Sequence, residues 1–122
     1  MTYQLTTAKI WDGSAWQSAV GAGIALEYVV VAGGGGGYIG GGGAGGYRSN
    51  VSGENSGGGT LAEFPVSVSP QTLTLTVGAG GAKFLPGNNS ILGTLFALGG
   101  GQGGNTNLNN PGRGGSGGGA GN

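Results

Sequence analysis

Cysteine and histidine are absent from this 122-residue chain, and charged side chains number only four basic and four acidic. Without cysteine there is no disulfide staple and no thiolate chemistry, and without histidine the common zinc ligand sets and every Ser–His arrangement are gone. The four acids, Asp12, Glu27, Glu54 and Glu63, are scattered along the chain. One isolated carboxylate makes neither an acid/base pair nor a calcium cage. Enzymatic activity, a cofactor and a bound metal are therefore not expected. The net charge of zero leaves no clustered positive surface for nucleic acid and no electrostatic anchor for a membrane. No run approaches the ~18 apolar residues of a membrane span, so membrane insertion is not expected either. The opening MTYQLTTAKIWDG carries neither the basic nor the apolar region of a signal peptide. A chain of zero net charge is prone to self-association, which is tolerable inside an assembly.

What is abundant is glycine, at 35 residues. Each interior glycine costs a helix ~1 kcal/mol relative to alanine, and no glycine-free stretch places apolar residues at helical spacing. The fold class expected is mainly β with no α-helix. Collagen is excluded, since there are only 4 prolines and no strict Gly-X-Y period.

Along the chain, Asp12-Gly13 sits between short apolar runs and predicts a two-residue hairpin turn of type I′. Trp11 and Trp16 would flank it on a sheet too small to bury them. Residues 1–23 read as a hairpin attachment segment hinged at Gly21-Ala22-Gly23, and 24–122 as the glycine-rich domain. The first body strand is expected over 24–32, IALEYVVVA, as a central strand because both of its faces are largely apolar. The second pattern, 64–77, alternates Leu73, Leu75 and Val77 with Thr72, Thr74 and Thr76 about a turn at Ser69-Pro70-Gln71. The third covers 89–98, with Gly93 predicting a bulge or a close backbone approach.

Each of these strands runs into glycine, at 32–37, 78–82 and 99–104, and a fourth glycine block ends the chain. Two readings compete. One is a flexible glycine linker. The other is a set of extended three-residue helices of the polyglycine II kind, rising ~3.1 Å per residue and packed at a distance only glycine permits. Recurrence after every strand favours the packed bundle, so the expected architecture is a small β-sheet or sandwich joined to a polyglycine II bundle.

Nucleotide motifs are met only formally. Gly41-x-Gly43-x-x-Gly46 fits the dinucleotide fingerprint, but Tyr47-Arg48-Ser49-Asn50 opens no helix for a pyrophosphate. Lys83 is followed by Phe84, which rules out the phosphate-cradling GxxxxGK[ST]. The informative residues are those interrupting the glycine blocks: Tyr38-Ile39, the stretch 49–56, Phe84-Leu85, and Asn107-Leu108-Asn109. Their aromatics either cap the bundle ends or, as loop residues on a rigid support, contact a partner.

The serial order LEYVVVAGGGGG, GGGAGGYRS, SGENSGGG, LTLTVGAGGA, NNSILGTLFALGGG, GRGGSGGGAGN resembles the glycine-rich domain of bacteriophage tail-fibre and minor tail proteins. The resemblance spans residues 26–122, and KIWDGSAWQ is similar to segments that precede such domains. It implies a virion structural protein at or near the host-contacting end of the tail, made in the host cytoplasm. Its partners would be other virion proteins and a bacterial surface receptor, and by analogy it would form a homo-oligomer, a trimer in many fibres. On that reading Trp11, Asp12, Gly13 and Trp16 attach the module to the particle. Tyr38, Ile39, Phe84, Leu85, Asn107, Leu108 and Asn109 are the candidate contacts. A capsid-surface fibre or decoration protein, or a purely mechanical spacer, stands as the alternative.

Overall fold

The computed structural model describes residues 2–4, 9–18, 24–68, 72–105 and 111–121. Among these, the chain is mainly β, built from small antiparallel sheets with no α-helix and one 3-10 turn at Gly57–Gly59. In order the strands are β1 (Thr2–Gln4), β2 (Lys9–Trp11), β3 (Trp16–Ser18), β4 (Ile24–Leu26), β5 (Val29–Val31), β6 (Tyr47–Ser49), β7 (Val66–Val68), β8 (Thr72–Thr76), β9 (Ser90–Leu92) and β10 (Leu95–Ala97). They pair as β1-β8-β9-β10, β2-β3, β4-β7 and β5-β6. The core is correspondingly small: Tyr28, Val30, Ala32, Leu92 and Ala97 are buried together, with Val66, Leu73, Leu75 and Leu95 packed against them.

Several sequence expectations are corrected. The hairpin β2-β3 exists, but Trp11 pairs with Trp16, so its loop is the four residues 12–15 and not a two-residue type I′ turn. The Asp12 carboxylate sets this loop, accepting hydrogen bonds from the Ser14 and Ala15 amides at 2.9 and 2.8 Å. Short polar side chains that bond the backbone two or three residues on compete in this way with the tighter turn.

The stretch 24–32 is two strands with different partners. Asn50 splits it: its Oδ1 accepts from the Tyr28 amide at 2.6 Å and its Nδ2 donates to the Leu26 carbonyl at 2.8 Å. The side-chain amide thus replaces a ladder rung between β4 and β5. Nor is β5 central, for Val29 and Val31 are about half exposed while Tyr28 and Val30 are buried. In 64–77 the alternation holds within β8, where Leu73 and Leu75 are half-buried while Thr74 and Thr76 are exposed, but Val77 beyond the strand is exposed. The turn at 69–71 lies outside the described residues. Gly93 is no bulge. It begins the two-residue turn between Leu92 and Leu95 with φ +60°, the first central position that a type II′ turn reserves for glycine. The stretch after Gly46, which opens no helix, instead forms strand β6 and pairs with β5.

The glycine blocks are ordered by one another's backbones. The amides of Gly40, Gly43 and Gly46 donate to the carbonyls of Gly104, Gly101 and Leu98. Gly100 and Gly103 donate to Gly33 and Gly36, which themselves donate to Asn88 and Leu85. Gly101 and Gly104 donate to Ser116 and Gly119, which donate to Ala44 and Gly41. Every step is three residues on both sides, whereas side chains and rungs in a β-strand alternate with period two. Successive residues of one run consequently address different neighbours. Gly33 donates to residue 88, Gly34 accepts from Gly81, and Gly35 donates to Gly43. The run 98–104 is innermost, with Gly99, Gly100, Gly101, Gly103 and Gly104 all buried.

Chain direction is fixed by the same bonds. Runs 32–37 and 98–104 are parallel, since residues 100 and 103 meet 33 and 36 in the same order. Run 78–82 is parallel to them, because Gly33 abuts Ala79 and Gly36 abuts Ala82. Each leaves a strand and runs the same way, so the next segments, at Tyr38, Lys83 and Asn105, emerge at one end.

A β-carbon at Gly35 would lie 2.6 Å from the Gly101 carbonyl carbon and 2.8 Å from the Gly100 oxygen, whereas one at Gly41 would meet nothing within 4 Å. Overpacking typically costs about 1–3 kcal/mol, occasionally more, and here the obstacle is the backbone of run 98–104. Gly35→Val is expected to lower the unfolding free energy by at least the top of that range, and Gly41→Ala to leave it unchanged or raise it by up to ~1 kcal/mol through the unfolded chain. Urea unfolding of the two variants checks this contrast.

Candidate functional site

Two of the four interruptions are brought together at that common end, the apex of the bundle. Tyr38 ends run 32–37, and Lys83 and Phe84 turn run 78–82 back into 85–88. The Tyr38 and Phe84 rings pack with centroids 4.2 Å apart, tilted by 45°. The Lys83 ammonium lies over the Tyr38 ring at 4.2 Å and 5.6 Å from the Phe84 ring, a cation held against two aromatic faces. Tyr38, Ile39, Phe84 and Leu85 all remain exposed, from 39% at Phe84 to 56% at Leu85. Asn107, Leu108 and Asn109 lie outside the described residues.

Phe84 has a backbone reason to be noticed. Its φ is +68°, the sole positive value at a non-glycine among the described residues. It occupies the third position of a turn closed by the Leu85 amide donating to the Ala82 carbonyl at 2.8 Å. Positive φ there is the type II pattern, which calls for glycine. A bulky residue in that conformation costs on the order of 1–3 kcal/mol. Glycine is plentiful elsewhere in this chain, yet phenylalanine stands at the position that asks for it.

At the hairpin, Trp11 and Trp16 are 52% and 64% exposed, their rings 5.6 Å apart at 58°. Asp12 and Gly13 shape the loop between them, Gly13 with φ +100°.

At the strand end of the bundle lies a polar cluster that sequence reasoning missed. The Arg48 guanidinium, on β6, grips Glu63 in a two-armed bond, Nε to Oε1 at 2.8 Å and Nη2 to Oε2 at 2.5 Å. Its third arm, Nη1, donates to the Phe96 carbonyl at 3.2 Å. Ser56 Oγ and the Tyr28 hydroxyl also donate to Glu63, at 2.7 and 3.0 Å. Ser49, fully buried, and Tyr47 donate to Glu54. The stretch 49–56, expected as a loop tip, is therefore tied into the strand end, away from the apex. The signal available in sequence was scarcity: Arg48 and Glu63 are among only four basic and four acidic residues in the chain.

These donors hold the Glu63 carboxyl down at about 2, the Arg48 hydrogen bond being the largest cause and partial burial opposing it. Burial, then the bond to Glu63, raises the Tyr28 hydroxyl. Among the described residues no group of three or more acidic or thiol side chains is placed to hold a metal ion, and no helix is long and apolar enough to cross a membrane. Set against known proteins, the chain matches no family model, no curated sequence and no solved structure.

A carboxylate whose pKa is depressed on folding contributes stability above its unfolded value, and that contribution is lost as pH falls through the folded one. The melting temperature is thus expected to hold from neutral pH to about 4.5 and then drop toward pH 2. Glu63→Gln should flatten that drop and cost about 1–2 kcal/mol at neutral pH, allowing for the pair's partial solvent access. Thermal melts of both proteins from pH 2 to 8 test this.

Proposed function

We propose that this chain is a structural component of a bacteriophage virion, a tail-fibre or minor tail protein whose rigid glycine domain carries a host-contacting apex. On this reading the glycine runs are polyglycine II helices packed as a sandwich-like bundle on the small β-sheets. The three-residue hydrogen-bond period supports that assignment, since polyglycine II has three residues per turn and no internal bonds, leaving every amide free for a neighbour. Parallel runs that all leave a strand and end at one apex suit a stiff projection with a distinct working end.

The observation that carries the functional part is Phe84. Strain is retained where a side chain is needed at that position, and here the side chain is an exposed aromatic stacked on Tyr38 beneath Lys83. Specific binding needs side chains on a rigid support; the flat glycine flanks offer almost none. Trp11 and Trp16, exposed on a hairpin too small to cover them, are the contact with the rest of the particle. Homo-oligomerisation belongs to the same reading, favoured by zero net charge. A capsid-surface protein would share all these features except position, and a mechanical spacer all except the need for Phe84.

The test is a phage carrying Tyr38→Ser and Phe84→Ser in this chain. Particles are expected to assemble normally and to adsorb to host cells at least about tenfold less well, a loss of ~1.4 kcal/mol or more. Unchanged adsorption would reduce the chain to scaffold. Electron-microscopic labelling of the same particles distinguishes tail from capsid.

A further inference from the structure

The Arg48–Glu63 cluster borders an open cleft of about 420 Å³, within the range of small-molecule sites, roughly 300–1,000 Å³. We infer that this cleft is a binding site for a neutral sugar, separate from the apex and independent of the virion reading. The hydrogen-bonding capacity that the chain leaves unused there selects the ligand.

Glu63 has none. It accepts two bonds from Arg48, one from Ser56 and one from Tyr28, which fills the four lone-pair sites of a carboxylate. Its part is to hold Arg48 rigid. Arg48 has five N–H groups, of which Glu63 takes two and the Phe96 carbonyl one. Two N–H donors therefore remain on a guanidinium that three bonds keep from moving, and its side chain is 35% exposed.

Acceptors remain as well. The Thr60 hydroxyl spends its proton on the Gly57 carbonyl and the Tyr47 hydroxyl spends its own on Glu54. Both residues line the cleft, and both hydroxyl oxygens keep lone pairs. Donors and acceptors side by side are matched by hydroxyl groups, which do both. Charge narrows the choice further. Glu63 cancels Arg48, and Glu54 lies behind Tyr47, so no positive surplus attracts an anion. An apolar wall completes the site, because Phe96 and Leu98 both line it and are 52% and 50% exposed. A pyranose ring offers the matching ligand: hydroxyls at its edge and a C–H face to lay on an aromatic ring. Gly57 and Gly58 at the rim carry no side chain to obstruct it.

The experiment is a two-dimensional amide and guanidinium NMR titration of the full chain. The probes are glucose, galactose, mannose, N-acetylglucosamine and N-acetylgalactosamine, each to tens of millimolar, with galacturonate as the anionic control. At least one neutral sugar is expected to shift Arg48 Nε–H together with the Gly57, Gly58 and Thr60 amides, saturably. Phe96→Ala, which removes an exposed ring, should weaken that binding about tenfold with an unchanged melting temperature. Thr60→Val should weaken it too while the Arg48–Glu63 pair stays intact. Failure of every neutral sugar to shift these signals overturns the proposal. So does tighter binding of galacturonate than of any neutral sugar, or undiminished binding by Phe96→Ala.

Discussion

Backbone amides bonded to carbonyls of neighbouring glycine runs, at a separation that leaves no space for a β-carbon, are the interaction on which the rest of this structure depends. The apolar core is a handful of residues around Tyr28, Val30 and Leu92, far too few to order 122 residues alone. Ordering backbone costs roughly 1–2 kcal/mol per residue, and glycine loses the most. A single hydrogen bond returns only about 0.5–1.5 kcal/mol net. The bundle therefore depends on many bonds closing together, each run supporting several others. Run 98–104 shows how: it donates to 32–37 and to 116–119 and accepts from 40–46. Removing one run would strip partners from all of these.

The sheets and the bundle are mutually dependent for a geometrical reason. Strands β5, β8 and β10 are short, and the two-stranded pair β5-β6 is of a size that is marginal in water. Each passes directly into a glycine run whose position the other runs fix, while the strand ends, cross-braced by Asn50 and by Arg48–Glu63, fix where each run begins. The Ser90 hydroxyl shows the joint in miniature: it donates to the Val31 carbonyl and accepts from the Gly78 amide, linking two strand-to-glycine junctions at a third. Because three runs leave their strands in parallel, their distal ends are collected on one side of the molecule, and Tyr38 meets Phe84 there.

Much of this was legible in the sequence, and the parts that were not share a cause. The mainly-β class with no α-helix was implied by glycine content, and the recurrence of glycine after strands pointed to mutual packing. Alternation in β8 was plain because Leu73 and Leu75 face a core while Thr74 and Thr76 face water. The break at Glu27–Tyr28 was hidden, since it is made by Asn50, 22 residues away, and local pattern cannot report a distant side chain that replaces a ladder rung. The four-residue hairpin loop was hidden because Asp12-Gly13 suits two turns and the Asp12 carboxylate decides between them. Of the apex, Tyr38, Ile39, Phe84 and Leu85 were readable as interruptions, but their convergence was not, because it depends on run direction. The cleft was missed altogether: Arg48, Thr60, Glu63 and Phe96 form no motif in sequence and meet only when β6 and β10 are brought to the same end.

Amide hydrogen exchange along residues 40–46 can distinguish inter-run bonding from its competitors, because each arrangement leaves a different period in one short run. Gly40, Gly43 and Gly46 donate to backbone carbonyls on run 98–104, and the account predicts slow exchange at these three, with Gly41, Gly42 and Gly45 faster between them. A β-ladder would protect alternate residues, and a flexible linker none. Slow exchange at every third residue is the expected result; exchange at the free-peptide rate throughout, or protection at every second residue, would contradict it.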